Sequence, residues 1–532
     1  MEYMIRLGKL SLATRLVVAA SALGFVEGCA RNRVVLPRGF MPAKLGPVDS
    51  RATDAIAGQS PPSVEPRTDD PKAAFDVLRP LPGADSPPFT IPMSGNGTRN
   101  AEEFKKLKAS FPKLEDSKLT LPVDESPEMS LEYLVDIGLN NNPSVQKAVA
   151  DADVAYGRVV QAGLYPNPLV GYQVDQWQPG DKPRPFNNSG QQGAFVTQLI
   201  KTADKLSLTQ QVVGYDYINA LISIRESQIN TTSLVRQRYF DVLISEQSFA
   251  VNSALANMSQ QVYDLQVAQV SSGVSAAYEP LILYAQAVQA KNTVKVSESQ
   301  YLSAWSRLAA AIGQPELKPV PLSGTALAEA PMLEASTLKR TLMEQHTDVL
   351  QARNLIAQSR TNLVLQRRIP IPDIQINNTQ QHDNATSNYQ FGLQVGVILP
   401  VADRNQGNIR SATARIVSTT RDLENTQNQL QAQFAEAFSR YEVNVLLARS
   451  FRDAVIPNLT QGYQAIVRRY QVDPEKVSFN DIVVAQLGLA QSLQAYLDAL
   501  RGQWQAVVDV ATIAQLDDLY SSSPAIGTTE PE

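Results

Sequence analysis

The sequence predicts a mainly α-helical fold that also contains a membrane β-barrel. Three observations predict it. Residues 130–520 contain an internal repeat, short runs alternate between polar and apolar residues, and long stretches are almost free of proline. The chain is therefore expected to be a tandem duplication in which each copy combines two short strands with a long helical hairpin.

Composition excludes several classes of protein. The 532 residues carry a net charge of −5 without a clustered basic face, so no nucleic-acid partner is expected. The chain has one cysteine, Cys29, and two histidines, His346 and His382, which cannot form an internal disulfide or a Cys/His zinc cluster. We find no Walker loop, nucleophile elbow or dinucleotide turn. The sequence thus predicts neither an enzyme nor a metal or cofactor site.

The first 28 residues have the pattern of an export signal, in which a basic start precedes an apolar run at 16–26 that is too short to span a bilayer. Gly28 and Cys29 follow at once, as in bacterial lipoproteins, although Glu27 is atypical of a lipobox. We predict a signal peptide at 1–28 and a lipid such as palmitate on Cys29. The alternative is cleavage nearby by the ordinary signal peptidase.

The segment 29–128 is rich in proline, because residues 30–128 hold 15 of the 33 prolines. It is expected to be an extended, lipid-anchored segment, either a tether or a strap around the folded body. Residues 521–532 are expected to form a disordered tail.

The repeat divides the body into a first copy at 130–330 and a second at 331–520. Matching motifs keep their order along the chain: Asn142-Pro-Ser-Val with His346-Thr-Asp-Val, Tyr165-Pro-Asn-Pro168 with Ile369-Pro-Ile-Pro372, Leu199-Ile-Lys-Thr-Ala-Asp-Lys205 with Ile398-Leu-Pro-Val-Ala-Asp-Arg404, and Trp305 with Trp504. Each copy is predicted to begin with one helix, at Leu131–Gly163 or Leu338–Arg367.

Two alternating segments follow the first helix of each copy. The clearest runs from Tyr389 to Leu399, and Val170 to Asp175 repeats the pattern in the first copy. Ala194–Ile200 and Ile374–Gln380 alternate more weakly. These lengths suit tilted membrane strands, and the alternative is a half-buried hairpin of a soluble sheet. Polar residues at 178–189 and His382–Asn388 predict exposed loops.

Two long helices complete each copy. Proline is absent from Asp204–Ser272, while Gly407–Val472 contains only Pro457, which should bend its helix. Each stretch would be about 100 Å long at 1.5 Å per residue and needs a partner helix. The expected partners are Ala276–Ile312 and Val477–Leu516.

Four strands per chain cannot close a membrane barrel. Known barrels have at least eight strands, and eight leave an interior filled by side chains. The smallest conducting assembly is therefore a homotrimer with a 12-stranded barrel, below which the long helices would form a tunnel.

Residues 130–520 resemble the TolC-like outer-membrane efflux family. The motifs that carry the resemblance are Leu164-Tyr-Pro-Asn-Pro168, Leu399-Pro-Val-Ala-Asp-Arg-Asn-Gln-Gly-Asn408, Pro457, Tyr470 and Ala485–Gln486. The resemblance implies a passive trimeric duct in the outer membrane of a Gram-negative-type cell, with its helical tunnel in the periplasm. It also implies two partners, a periplasmic adaptor (membrane fusion) protein and an inner-membrane pump, for which the resistance-nodulation-division type is one candidate. The Asp-Arg-Asn-Gln-Gly motif is most similar to that of members that serve heavy-metal and related cation pumps.

The same resemblance suggests site residues at the periplasmic tip. The two helical turns would contact the adaptor, although they could merely close the hairpins; they are Ser272, Gly273, Val274, Ser275, Asp473, Pro474, Glu475 and Lys476. Asp481 aligns with a pore-gate aspartate of the family, while a second gate position falls on Val484. The alternative for Asp481 is a solvated helix residue. The competing function is a periplasmic coiled-coil structural or adaptor protein.

Overall fold

The structure is a computed structural model. It describes residue 109 and residues 111–114, 120–123, 126–176, 190–271, 278–472 and 476–519. The predicted signal peptide, Cys29, most of the proline-rich segment, the loop at 178–189 and the tail at 521–532 lie outside these residues.

The same order of elements occurs twice. Each copy has two helices, two strands and then long helices. The first copy contains α1 (Leu131–Asn141), α2 (Pro143–Ala162), β1 (Leu169–Asp175), β2 (Gln191–Ile200), α3 (Lys205–Ser271) and α4 (Glu279–Ala311). The second contains α5 (Ala335–Gln345), α6 (Thr347–Arg368), β3 (Ile374–Asp383), β4 (Asn388–Val397), α7 (Gln406–Ser450), a π-turn (Phe451–Val455), α8 (Ile456–Val472) and α9 (Phe479–Ile513).

The predicted single helix at the start of each copy is wrong, because a capping residue breaks it into two. Asn142 accepts a hydrogen bond on Oδ1 from the Ser144 N–H at 2.9 Å, and it precedes a proline, which disfavours helical backbone. His346 performs the same task in the second copy, where its Nδ1 accepts from the Asp348 N–H at 3.2 Å. Burial lowers the pKa of His346, which favours the neutral ring that this hydrogen bond needs.

The four strands form one antiparallel sheet in the order β1-β2-β3-β4. The register is continuous, with Thr197 opposite both Leu169 and Asn377. The predicted loop at His382–Asn388 is too long, because His382 pairs with Tyr389 and Asp383 with Asn388. Alternation weakens at these polar positions, but the ladder continues through them.

The long helices match the prediction closely in the first copy, where α3 is one helix of 67 residues. In the second copy the helix is interrupted before Pro457 by the π-turn, whose Phe451 carbonyl accepts from the Ile456 N–H. Proline has no N–H and its ring clashes with the preceding turn, and a wider turn relieves that clash. No helix among the described residues is both long and apolar enough to cross a bilayer.

The chain divides into two compact units. One contains Lys147–Glu226 and Glu344–Gln429, and therefore the sheet. The other contains Ser227–Met343, the chain from Leu430 onward and the described residues before Lys147. Both repeat-related tryptophans lie buried in this second unit: the Trp305 Nε1–H donates to the Leu317 carbonyl and the Trp504 Nε1–H to the Ala326 carbonyl, each at 2.8 Å.

Candidate functional site

The sheet presents an apolar face, along which large hydrophobic side chains on the two edge strands are exposed. The most exposed is Tyr389, at 78 %. The registers place the following exposed residues on this face: Val170, Tyr172, Val196, Tyr389, Phe391, Leu393, Val395 and Val397. The middle strands are more mixed, because Gln192, Asn378 and Gln380 share the same face. So much exposed apolar surface on one face of the sheet marks a lipid or protein contact.

The opposite, polar face is rich in amides and glycine. Asp175 accepts hydrogen bonds on Oδ2 from Gln173 at 2.8 Å and from Gln381 at 2.5 Å. Thr197 donates to Asn377 at 3.1 Å. A face lined by amide side chains with few charges is suited to contact with water.

A charged junction lies where the sheet meets the helices. Asp373, just before β3, accepts from the Nζ atoms of Lys201 at 2.9 Å and Lys205 at 2.8 Å. The Thr202 N–H donates to the same carboxylate at 3.1 Å, and Lys205 also donates to the Ile371 carbonyl. This junction ties the start of the second copy's hairpin to the end of the first copy's.

The electrostatics of the junction favour the ionised carboxylate. Desolvation raises the pKa of Asp373, but the hydrogen bonds from Lys205, Lys201 and Thr202 outweigh it and lower that pKa to about 2. Charge-assisted hydrogen bonds of this kind are stronger than neutral ones. Sequence reasoning found the Lys-Thr-Ala-Asp-Lys motif but missed its partner Asp373.

The ends of the two long hairpins pack together within the second unit. Tyr470, near the end of α8, is buried and its hydroxyl contacts the side chains of Gln266 and Gln269 on α3. The Gln266 amide in turn donates to Glu279, at the start of α4. Around these groups lies an apolar cluster that includes Tyr263, Val267, Val270, Leu283 and Ile482. Residues at the ends of four helices thus support the region that leads into the two predicted tips.

Of the predicted tip residues, the structure describes only Lys476, which is exposed. The other seven, Ser272 to Ser275 and Asp473 to Glu475, lie outside the described residues.

Asp481 is the third residue of α9 and takes part in a capping box with Ser478. Its Oδ2 accepts from the Ser478 N–H at 2.8 Å and from the Ser478 hydroxyl at 2.9 Å. The Asp481 side chain is nevertheless exposed. The residue therefore has a local structural role that sequence reasoning missed; the signal for it is an acidic residue three positions after a serine at the start of a helix.

The π-turn borders a small cleft that sequence reasoning missed. Arg452 forms ion pairs with Glu329 at 2.9 Å and Asp453 at 2.7 Å. Hydrogen bonds to these carboxylates raise the pKa of Arg452, so its charge is permanent. Across the described ranges of the chain, no group of three or more His, Cys, Asp or Glu side chains could hold a metal ion.

The sequence was compared with protein families and with individual proteins. No protein-family model matches the chain. The cobalt-zinc-cadmium resistance protein CzcC of Cupriavidus metallidurans is 21 % identical over 445 residues, which cover 80 % of this chain and 96 % of that protein.

Solved structures share the fold. A membrane protein from Pseudomonas aeruginosa superposes with a TM-score of 0.62 at 16 % identity, covering 76 % of this chain and 99 % of that one. The open state of the MtrE outer membrane channel of Neisseria gonorrhoeae gives 0.60 at 14 % identity, covering 76 % and 97 %. Almost the whole of each relative is matched, so the shared fold extends over the sheet and the long helices alike.

Proposed function

We propose that this chain, which has the fold of the TolC-like outer-membrane channels, is the outer-membrane channel subunit of a tripartite efflux system. It would act as a passive duct from periplasm to outside and would carry no catalytic site. The observation that carries the proposal is the sheet, whose edge strands expose an apolar face suited to lipid while the opposite face is polar.

The duct would be a homotrimer with a 12-stranded barrel, because the described part of each chain supplies four strands and an open barrel needs more than eight. The tandem duplication gains support from local chemistry. Asn142 and His346 occupy matching positions. The side chain of each caps a helix by accepting a hydrogen bond from the backbone N–H two residues later. Trp305 and Trp504 also match, and both donate to a backbone carbonyl in the segment that connects α4 to α5.

The partners would be a periplasmic adaptor protein at the helical tips and an inner-membrane pump, with the resistance-nodulation-division type as one candidate. The packing around Tyr470 supports this assignment, because it brings together the described ends of the helices that lead into the two turns. Ser272 to Ser275 and Asp473 to Lys476 would supply the adaptor contacts. Attachment to outer-membrane lipid would involve Cys29.

The exported substrate would be a cation or another small molecule. The relative CzcC is named for cobalt, zinc and cadmium resistance, which favours metal cations as the cargo. The Asp-Arg-Asn-Gln-Gly run at 403–407 points to the same group of channels. Because metal ions would pass through as cargo, the duct needs no resident metal site.

A gate at Asp481 would place three carboxylates around the three-fold axis, where they attract cations as charged rings in pores do. Asp481→Asn should weaken block of the reconstituted channel by divalent cations, since it removes the charge but keeps a side chain that can accept the capping hydrogen bonds. Ser478→Ala is the matched control, because it breaks the capping box and leaves the charge. Equal block in wild type and Asp481→Asn would refute the gate.

The competing proposal is a periplasmic coiled-coil structural or adaptor protein. Envelope fractionation separates the two. A trimeric duct should be recovered with the outer membrane and should migrate as an oligomer when the detergent extract is not boiled. A free monomer in the periplasmic fraction would reject the channel function.

A further inference from the structure

The described sheet ends in two strands, β1 and β4, that each pair on one side alone. We propose that β4 of one copy pairs antiparallel with β1 of a second copy in one fixed register, with Leu399 opposite Val170, and that the junction beneath this pair has a leucine where the junction inside the chain has its carboxylate. This inference rests on the proposed function, since it specifies how the copies of the duct join.

The register follows from the join between the two repeats. Inside the chain β2 pairs with β3, and Ile200 lies opposite Ile374. The motif ending in Lys205 aligns Ile200 with Leu399, and the Pro-x-Pro motif aligns Ile374 with Val170. If the join between copies repeats the join between repeats, Leu399 lies opposite Val170 of the next copy.

The transferred register keeps the two faces of the sheet intact. It places Val397 opposite Tyr172 and Val395 opposite Val174, and all four side chains belong to the apolar face. Gly396 then meets Gln173 on the polar face. A shift by one residue would set apolar against polar side chains along the whole pair, so the pattern excludes shifts by an odd number of residues. Among the remaining registers, the alignment of the two repeats selects this one.

The residues beneath the paired strands differ between the join of β2 with β3 inside the chain and the proposed join of β4 with β1 of the next copy. The motif alignments map Asp373 onto Leu169, Lys201 onto Pro400 and Lys205 onto Arg404. The carboxylate that receives both lysines inside the chain is therefore replaced by leucine at the edge.

Apolar side chains stand around these edge positions. On the β4 side Ile398, Leu399 and Val401 are 84 %, 69 % and 74 % exposed, and on the β1 side Leu169 is 62 % exposed. Leu164 and Tyr165 add to the β1 side. The repeat-related counterparts of Ile398, Leu399, Val401 and Leu169 are the half-buried Leu199, Ile200, Thr202 and Asp373 of the join inside the chain. A second copy is therefore the occupant that fits both edges.

The helices also have polar residues at the join inside the chain and apolar residues at the matching edge positions. Inside the chain, α6 packs on α3 through amides: the Asn354 Nδ2 donates to the Tyr215 carbonyl at 2.8 Å and the Gln358 Nε2 to the Val212 carbonyl at 3.0 Å. The same alignment maps Asn354 onto Ala150 and Gln358 onto Val154, and Val154 is exposed. Polar contacts thus join the repeats, while their apolar equivalents remain open for the next copy.

Disulfide cross-linking tests the register in the full-length chain. The direct pairs are Val395→Cys with Val174→Cys and Gly396→Cys with Gln173→Cys; neighbouring pairs of an antiparallel ladder alternate in spacing, so one of the two is the closer. The shifted control combines Val395→Cys with Tyr172→Cys. All variants carry Cys29→Ser, which removes the native thiol.

We expect disulfide-linked dimers and trimers on non-reducing gels from at least one direct pair, at a yield several-fold above the shifted pair. Cross-linking through the shifted pair instead would overturn the register while leaving the proposed duct intact. No cross-link from any pair in protein that still migrates as a trimer would overturn the edge pairing alone. No cross-link together with a monomer would refute both the inference and the proposed function.

Discussion

Asp373→Asn is the substitution that tests the charged junction most sharply. The carboxylate receives two lysines and one backbone N–H, all within 3.1 Å, and its side chain is 18 % exposed. Asparagine keeps the shape and one acceptor oxygen but loses the charge. The two lysine ammonium groups are then left without a counter-charge beside the start of β3.

The lowered pKa sets the magnitude. A fall from 3.8 to about 2 corresponds to roughly 2 kcal/mol at neutral pH, which partial exposure of the carboxylate reduces to about 1–2 kcal/mol. Because the folded-state pKa lies below the unfolded one, this stability is present above the unfolded pKa and is lost as pH falls through the folded pKa. The difference between wild type and variant should therefore be full at pH 6 and should shrink between about pH 5 and pH 2.

Amide hydrogen exchange measures this locally, in peptides that cover 199–206 and 369–377. A loss of about 1–2 kcal/mol should make exchange roughly 5- to 30-fold faster in the variant at pH 6. Asp151→Asn is the matched control, because Asp151 pairs with Lys147 across one exposed helical turn and should change protection by less than about 2-fold. Unchanged protection in Asp373→Asn, or a difference that does not shrink at low pH, would refute the reasoning.

Three further predictions concern the sheet, the edge junction and the anchor. Gly193→Ala should abolish the folded oligomer on unboiled gels, because its Cβ would overlap the Gln380 carbonyl oxygen of β3, whereas Gly157→Ala meets no atom within 4 Å and should not. Leu169→Asp should retain the trimer through Arg404 of the next copy and lose it when combined with Arg404→Ala; equal trimer yields would contradict the junction. Cys29→Ser should abolish incorporation of labelled fatty acid, and persistent labelling would exclude lipidation there.

Much of the fold could be predicted because its signals are local. The absence of proline over about 67 residues is enough to predict α3, and strict alternation locates β4. The weaker strand β3 was predicted from its own alternation at Ile374–Gln380. Patterns that extend over many residues and recur at a second place in the chain leave few alternatives.

The misses share a cause, which is that the deciding contact lies elsewhere in the chain or in an unexpected backbone state. Asn142 and His346 each end one helix and cap the next. The periodicity of apolar residues does not predict such a break. The π-turn before Pro457 depends on how a helix adjusts to a missing N–H. Asp373 meets Lys205 across 168 positions, a pairing that neither motif reveals alone.

The most direct test of the duct is ion conductance. The purified oligomer should give uniform open-channel current steps in planar lipid bilayers, because a trimer with 12 strands encloses a water-filled passage. A correctly assembled trimer that inserts into the bilayer and passes no current under any applied voltage or pH would contradict the account.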